Sequence, residues 1–284
     1  MKRILLPTDF SRNSWNAIRY AQSLFRGHAC EFFLLNAFQV GSSGLVTTMG
    51  RTHETRLYRS LKKESERGLA NILALMSKSD ENQDHRIKTY SMAAHLVQAV
   101  ATVVKSKDID LIIMGTKGAS GLKEVFLGSN AHKIIKEIHA CPIILVPDEF
   151  ELYGSFEAMV LATGYEHLFH AQELKPIIEI SNNFGAKVLV THAGEASALT
   201  SHQEGVRKHL AQQLNTVKHE FVFLKKESSV NETIQKMIGE RGNIHMVAMV
   251  NYWHSFFEKL TQEPVIKKVA FNTTVPFLVV HLFE

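Results

Sequence analysis

Leu111-Ile112-Ile113-Met114-Gly115-Thr116-Lys117-Gly118, resumed at Gly128-Ser129-Asn130-Ala131 by an amphipathic segment that runs to Ile138, decides how this chain folds. An apolar run, then glycines, then a helical period read as buried strand, glycine turn and helix start. Glycine lets the backbone take positive φ and approach a ligand closely. The unpaired N–H groups of a helix start carry partial positive charge, so the stretch suits an anion, phosphate above all.

Working outward, the same alternation continues in both directions. Towards the N-terminus lie a strand over 3–8, a helix capped by Ser11, and a strand over 31–38 that is apolar except for Asn36. A small-residue loop over 40–50 leads to a charged helix over 54–76 with Leu57, Leu61, Leu69, Ile72 and Leu73 on one side. A strand over 86–90 and a helix over 94–105 then reach the strand 109–114. After the helix 130–138, Pro142 opens a fifth strand over 142–146, a position where a missing N–H is tolerated. Continuous apolar strands alternating with helices predict an open parallel α/β sheet with helices on both faces.

The order then repeats. Met159-Val160-Leu161-Ala162-Thr163-Gly164 restates Ile4-Leu5-Leu6-Pro7-Thr8-Asp9, and 187–193, 219–224, 230–238 and 244–250 restate the elements that follow. Val275-Pro276-Phe277-Leu278-Val279-Val280 restates Cys141-Pro142-Ile143-Ile144-Leu145-Val146, at the same distance from Met249 as Cys141 is from Gly115. This predicts two tandem five-stranded sheets, in domains 1–148 and 155–284.

Composition narrows the function. No apolar run approaches the ~20 residues that span a bilayer, and the short basic start meets Asp9 too soon for a secretory segment, so a cytoplasmic protein is expected. Residues 1–150 carry 20 Lys and Arg against 14 Asp and Glu, and residues 151–284 carry 12 against 14. That modest excess has no basic run with interleaved aromatics, so nucleic acid is not a partner. It fits an anionic ligand in the first half. Cys30 and Cys141 have no paired spacing and read as buried thiols. The 15 histidines form no ligand set with thiolates or carboxylates.

In an open α/β sheet, ligands bind beyond the carboxyl ends of the strands, where the strand order reverses. Asp9, Ala37 and Met114 end three strands there. Asp9 would accept from a ribose hydroxyl or base amine, or else cap a helix, and both readings stand at this point. Ala37 and Met114 leave room for a flat ring. The Walker sequence G-x-x-x-x-G-K-[ST], the G-x-G-x-x-G fingerprint and the elbow G-x-S-x-G are all absent.

Gly115-x2-Gly118-x9-Gly128-Ser129, between an apolar strand and Cys141-Pro142-Ile143-Ile144-Leu145-Val146, resembles the ATP-binding signature of the universal stress protein family. The opening Ile4-Leu5-Leu6-Pro7-Thr8-Asp9-Phe10-Ser11, with Ser14 and Ala17, is similar to that family's start. The resemblance implies a Rossmann-like, adenine nucleotide alpha hydrolase-like fold and an ATP site, with or without magnesium. Pro7, Thr8 and Asp9 would meet adenine and ribose, and Ala37 would line the base. Met114 and Gly115 would floor the site, while Gly118, Gly128, Ser129 and Asn130 would hold phosphates. Ala131 stands where that family often has threonine or serine. In the second copy, Gly164, Met249, Tyr252, Gln262 and Glu263 replace Asp9, Gly115, Gly118, Gly128 and Ser129. Bulk and negative charge there oppose phosphate, so nucleotide is expected in the first domain only.

No general base is positioned, so a regulatory, stress-response role is expected and catalysis is not, beyond slow ATP hydrolysis. An adenylate-forming or nucleotidyl-transferring enzyme is the alternative, although its Ser-Gly-Gly-x-Asp-Ser or His-x-Gly-His motifs are missing. An interaction module without nucleotide is a third. The aromatic run Trp253-His254-Ser255-Phe256-Phe257 is expected to pack on its own domain rather than meet a protein partner. By the same resemblance, 143–146 would pair with 277–280 as an intramolecular pseudo-dimer contact, and pairing of two chains stays open.

Overall fold

The computed structural model describes residues 1–40, 47–48, 51–52, 56–80, 82–117, 128–152, 154–251 and 273–282. Among these, residues 1–117 and Gly128–Cys141 belong to one compact unit and the chain from Pro142 onward to a second.

The first unit runs β1 (Lys2–Pro7), α1 (Arg12–Leu24), β2 (Cys30–Phe38), the short antiparallel pair β3 (Thr47–Thr48) and β4 (Arg51–Thr52), α2 (Arg56–Ser79), β5 (Arg86–Ala93), α3 (Leu96–Lys107), β6 (Leu111–Gly115) and α4 (Ser129–Glu137). Its sheet has the order β6-β1-β2-β5, every neighbour parallel. The central strands are apolar on both faces because both faces are covered: Ile4, Leu5, Leu6, Leu34 and Leu35 have no exposed surface. Burying each such side chain stabilises the fold by about 1.5–3 kcal/mol. Strand order reverses between β1 and β6, which opens a crevice at their carboxyl ends.

Local signals set the helix ends. Ser11 caps α1, its side chain accepting from the Ser14 N–H. At the end of α3, Asp108 takes the left-handed conformation, φ 46°. Helix α2 is described from Arg56 and buries Ser65, Leu69, Ile72 and Met76, so Leu69 and Ile72 of the expected row reach the core while Leu61 and Leu73 are half-buried. Leu57 lies 48% exposed. Ser65 takes a core position because its hydroxyl accepts from the Ser91 hydroxyl of β5, 2.8 Å away. Strand β5 extends three residues beyond the expected Tyr90, keeping its ladder with β2 as far as Phe38 and Ala93.

The second unit runs β7 (Ile143–Val146), β8 (Ala158–Ala162), α5 (Ala171–Phe184), β9 (Lys187–Ala193), a short 3-10 turn (Ala196–Ala198), α6 (Ser201–Gln213), β10 (His219–Leu224), α7 (Val230–Arg241), β11 (Ile244–Asn251) and β12 (Phe277–His281). Its strand order is β10-β9-β8-β11-β12-β7. All neighbours are parallel except β7, which runs antiparallel to β12 with Leu145 opposite Phe277, Ile144 opposite Leu278 and Ile143 opposite Val279. These residues are fully buried. Leaving β7 and β12 aside, the order is that of the first unit, with β8, β9, β10 and β11 standing for β1, β2, β5 and β6.

The likeness reaches individual hydrogen bonds. The Thr8 N–H donates to the Leu35 carbonyl at 2.8 Å, and the Thr163 N–H to the Thr191 carbonyl at 3.0 Å. The Thr8 hydroxyl accepts from Phe10 N–H and the Thr163 hydroxyl from Tyr165 N–H. Phe10 and Tyr165 both have positive φ, 63° and 57°. The Thr8 carbonyl accepts from the Asn36 carboxamide and the Thr163 carbonyl meets Nδ1 of His192, at 2.7 and 3.0 Å. One strand exit is thus built twice.

Candidate functional site

The crevice of the first unit gathers the ends of β1, β2 and β6 with the start of α4. Pro7 ends β1 and is buried. Thr8, 5% exposed, is engaged on every side by protein: besides the bonds above, its hydroxyl lies 3.0 Å from Ser14 Oγ. Asp9 is exposed, and its Oδ1 accepts from the Ser11 N–H and hydroxyl. The cap of α1 is Ser11, so Asp9 is not the helix cap that one reading of its position allowed. Ala37 is half-buried near the end of β2, opposite Met92. Met114 is buried within β6, and Gly115 is its last residue.

At Gly115 only a hydrogen fits, because a Cβ would run into the carboxamide of Asn13. Asn13 is itself buried, and its Oδ1 accepts from the Lys117 N–H at 2.7 Å. One residue earlier, the Thr116 carbonyl accepts from the Gly128 N–H, also at 2.7 Å, so the exit of β6 is tied to the start of α4. Gly128 is the N-cap of that helix and offers no side-chain cap to its first turn. Ser129 and Asn130 follow, both exposed, and Ala131 is buried. An uncapped helix start presents N–H groups and the positive end of the helix dipole, where an anion is stabilised. Gly118 lies outside the described residues. So do Tyr252, Gln262 and Glu263 of the second copy, and the Trp253–Phe257 run.

Asn13, Ser14 and Asn36 are the polar residues that sequence reasoning did not assign to the site. Asn36 is visible as the polar break in an apolar strand. Asn13 carries no comparable signal, since a polar residue in the first turn of a helix is ordinary.

In the second unit, side chains of α6 reach over to the corresponding exit. Gln203 of α6 donates from Nε2 to the Gly164 carbonyl at 3.0 Å and to Glu166 Oε1 at 2.8 Å, while His202 Nε2 lies 3.3 Å from the Glu166 carbonyl. Tyr165 is fully buried, stacked on His192 with ring centroids 5.3 Å apart. Phe10, its counterpart, is 37% exposed. Among the described residues no group of His, Cys, Asp and Glu has the arrangement to hold a metal, and no helix is long and apolar enough to cross a membrane.

Fold and crevice together define an open-sheet α/β protein whose strand order reverses between β1, followed by the exposed Asp9, and β6, whose exit is bonded to the start of α4. Residues 1–147 match the Universal stress protein family, and the chain belongs to that family. Universal stress protein MJ0531 of Methanocaldococcus jannaschii is 28% identical over 145 residues, covering 51% of this chain and 81% of its own. Universal stress protein YxiE of Bacillus subtilis is 26% identical over 148 residues, covering 51% and 97%. Among solved structures, a universal stress protein of Archaeoglobus fulgidus superimposes with a TM-score of 0.70 at 16% identity, over 98% of this chain and 96% of that one. The functionally unknown PA1789 of Pseudomonas aeruginosa gives 0.63 at 13%, over 99% and 92%. At such identities the likeness is one of fold, and it takes in both halves of the chain.

Proposed function

We propose that this chain is a tandem universal stress protein that binds ATP, with or without magnesium, in its first unit only, and serves as a cytoplasmic stress regulator rather than an enzyme. One observation carries the reading: the N-cap of α4, Gly128, supplies no side-chain cap and is held by its bond to Thr116 at the exit of β6, the strand that neighbours β1, after which the exposed Asp9 follows. Phosphates would meet the N–H groups of that first turn with Ser129 and Asn130, and Asp9 would accept from a ribose hydroxyl or the adenine amine. The half-buried Ala37 and the buried Met114 leave a shallow wall for the base. Restriction to the first unit is supported by Gln203 and Glu166 bridging across the corresponding exit, and by Gly164 and Met249 where the first unit has Asp9 and Gly115.

The β7–β12 pair supports a further part of the reading, in which the strand contact that two single-domain chains would share is made within one chain. Nucleotide occupancy would act by biasing a surface seen by an as yet unidentified protein partner. Nucleotide analysis of protein purified without added ATP tests the reading. About one adenine nucleotide per chain, or a rise in melting temperature with millimolar ATP, is the expected result. No bound nucleotide together with no thermal shift overturns it, and two per chain overturn the restriction to one unit.

A further inference from the structure

We propose that Asn13, a residue of the first turn of α1, is the positioning residue for the phosphate-binding turn, an inference that rests on the nucleotide reading above. Its carboxamide does two things at once. Oδ1 accepts the Lys117 N–H at 2.7 Å, and the same group packs against Gly115 so closely that no side chain fits there. Both contacts fall on the three residues that leave β6, and the middle one, Thr116, holds the Gly128 N–H at 2.7 Å. The chain of contacts therefore runs from α1 through Asn13 to the turn and on to the first residue before α4.

Asn13 is 4% exposed and its bond to Lys117 is partly buried, so water competes for that N–H less than it would at the open surface. A neutral acceptor is what this place requires. An aspartate would satisfy the same N–H but bring a negative charge towards a site built for phosphate.

The test compares ATP affinity and amide hydrogen exchange in the full chain for wild type, Asn13→Ala, Asn13→Asp and Gln22→Ala. Gln22 lies further along the same helix and donates to the Met76 carbonyl at 3.1 Å, so its loss reports what destabilising α1 does by itself. Asn13→Ala is expected to weaken ATP at least tenfold and to lose protection at the Lys117 amide while the β1 and β6 amides keep theirs. Asn13→Asp is expected to keep Lys117 protected and still weaken ATP, and Gln22→Ala to bind ATP within twofold of wild type. ATP bound by Asn13→Ala within twofold of wild type overturns the positioning role alone, as does an equal loss in Gln22→Ala. Absence of ATP binding in the wild type overturns the nucleotide reading, and the positioning role with it.

Discussion

Phe10 and Tyr165 occupy the same place in the two units: each follows a strand exit with positive φ, and each donates its N–H to the threonine two residues before it. For a bulky aromatic residue this conformation is uncommon and costs free energy. The threonine hydroxyl offsets part of that cost. Thr163→Val keeps the shape and removes the acceptor, leaving the Tyr165 N–H unpaired. It is expected to lower the stability of the second unit by about 1–3 kcal/mol, read as a lower urea midpoint at unchanged slope. An unchanged midpoint would show that the hydroxyl does not hold the turn.

Ser129 separates the needs of the fold from those of the ligand. It is the first residue of α4 and is exposed, and the aligned residue of the second copy is Glu263. A carboxylate at a helix start interacts favourably with the dipole, by about 0.3–1 kcal/mol. Ser129→Glu is therefore expected to hold or slightly raise the melting temperature. The same charge sits where a phosphate is proposed to bind, so ATP affinity should fall tenfold or more. Calorimetric titration beside a thermal melt reads both signs, and unchanged affinity would place the phosphates elsewhere.

Gly115 is fixed by its neighbour rather than by its own dihedral angles. A Cβ there meets the Asn13 carboxamide, and forcing a methyl group into a packed site costs about 1–3 kcal/mol. Gly115→Ala should destabilise the first unit by that order in the wild-type background and by clearly less beside Asn13→Ala. The difference is a coupling free energy read from a double-mutant cycle by denaturant unfolding. Additive losses would show that the close approach of Asn13 is not what demands glycine.

The strand and helix order, the repeat and the crevice were legible because each depends on local periodicity or spacing. Apolar runs such as Leu111–Met114 are nearly unambiguous when both faces are buried. The apolar face of α2 is legible at Leu69 and Ile72, whereas Ser65 is not, because it is buried through a hydroxyl pair with Ser91, a contact between residues far apart in sequence. The strand Ile143–Val146 closes the first domain in chain order, within the family match over residues 1–147, while its antiparallel ladder with Phe277–Val279 groups it by contacts with the second compact unit. Asn13 could not be read at all. Its importance comes from where Gly115 and Lys117 lie in space, and nothing in its own neighbourhood announces that.

The two thiols give a prediction with a defined sign. Cys30 is fully buried, and burial pushes its thiol up to about 11 from an ordinary 9.0, against a smaller lowering by Lys2 and the N-terminal ammonium. Cys141 is pushed up to about 12 by burial, with a lesser contribution from Asp110. The Tyr165 phenol is raised above its usual 10.0, again chiefly by burial. In each case the folded state keeps a proton that the unfolded chain gives up, so stability is fully present below about pH 9 and falls as pH rises from there towards about 11. The urea midpoint should decline over that window, and Cys30→Ala should make the decline shallower. At pH 8 neither thiol should react with Ellman's reagent in the native protein, while both of the 2 cysteines should react once it is unfolded. Rapid labelling of the native protein, or a midpoint that stays level to pH 11, would mean that these thiols are not buried as described.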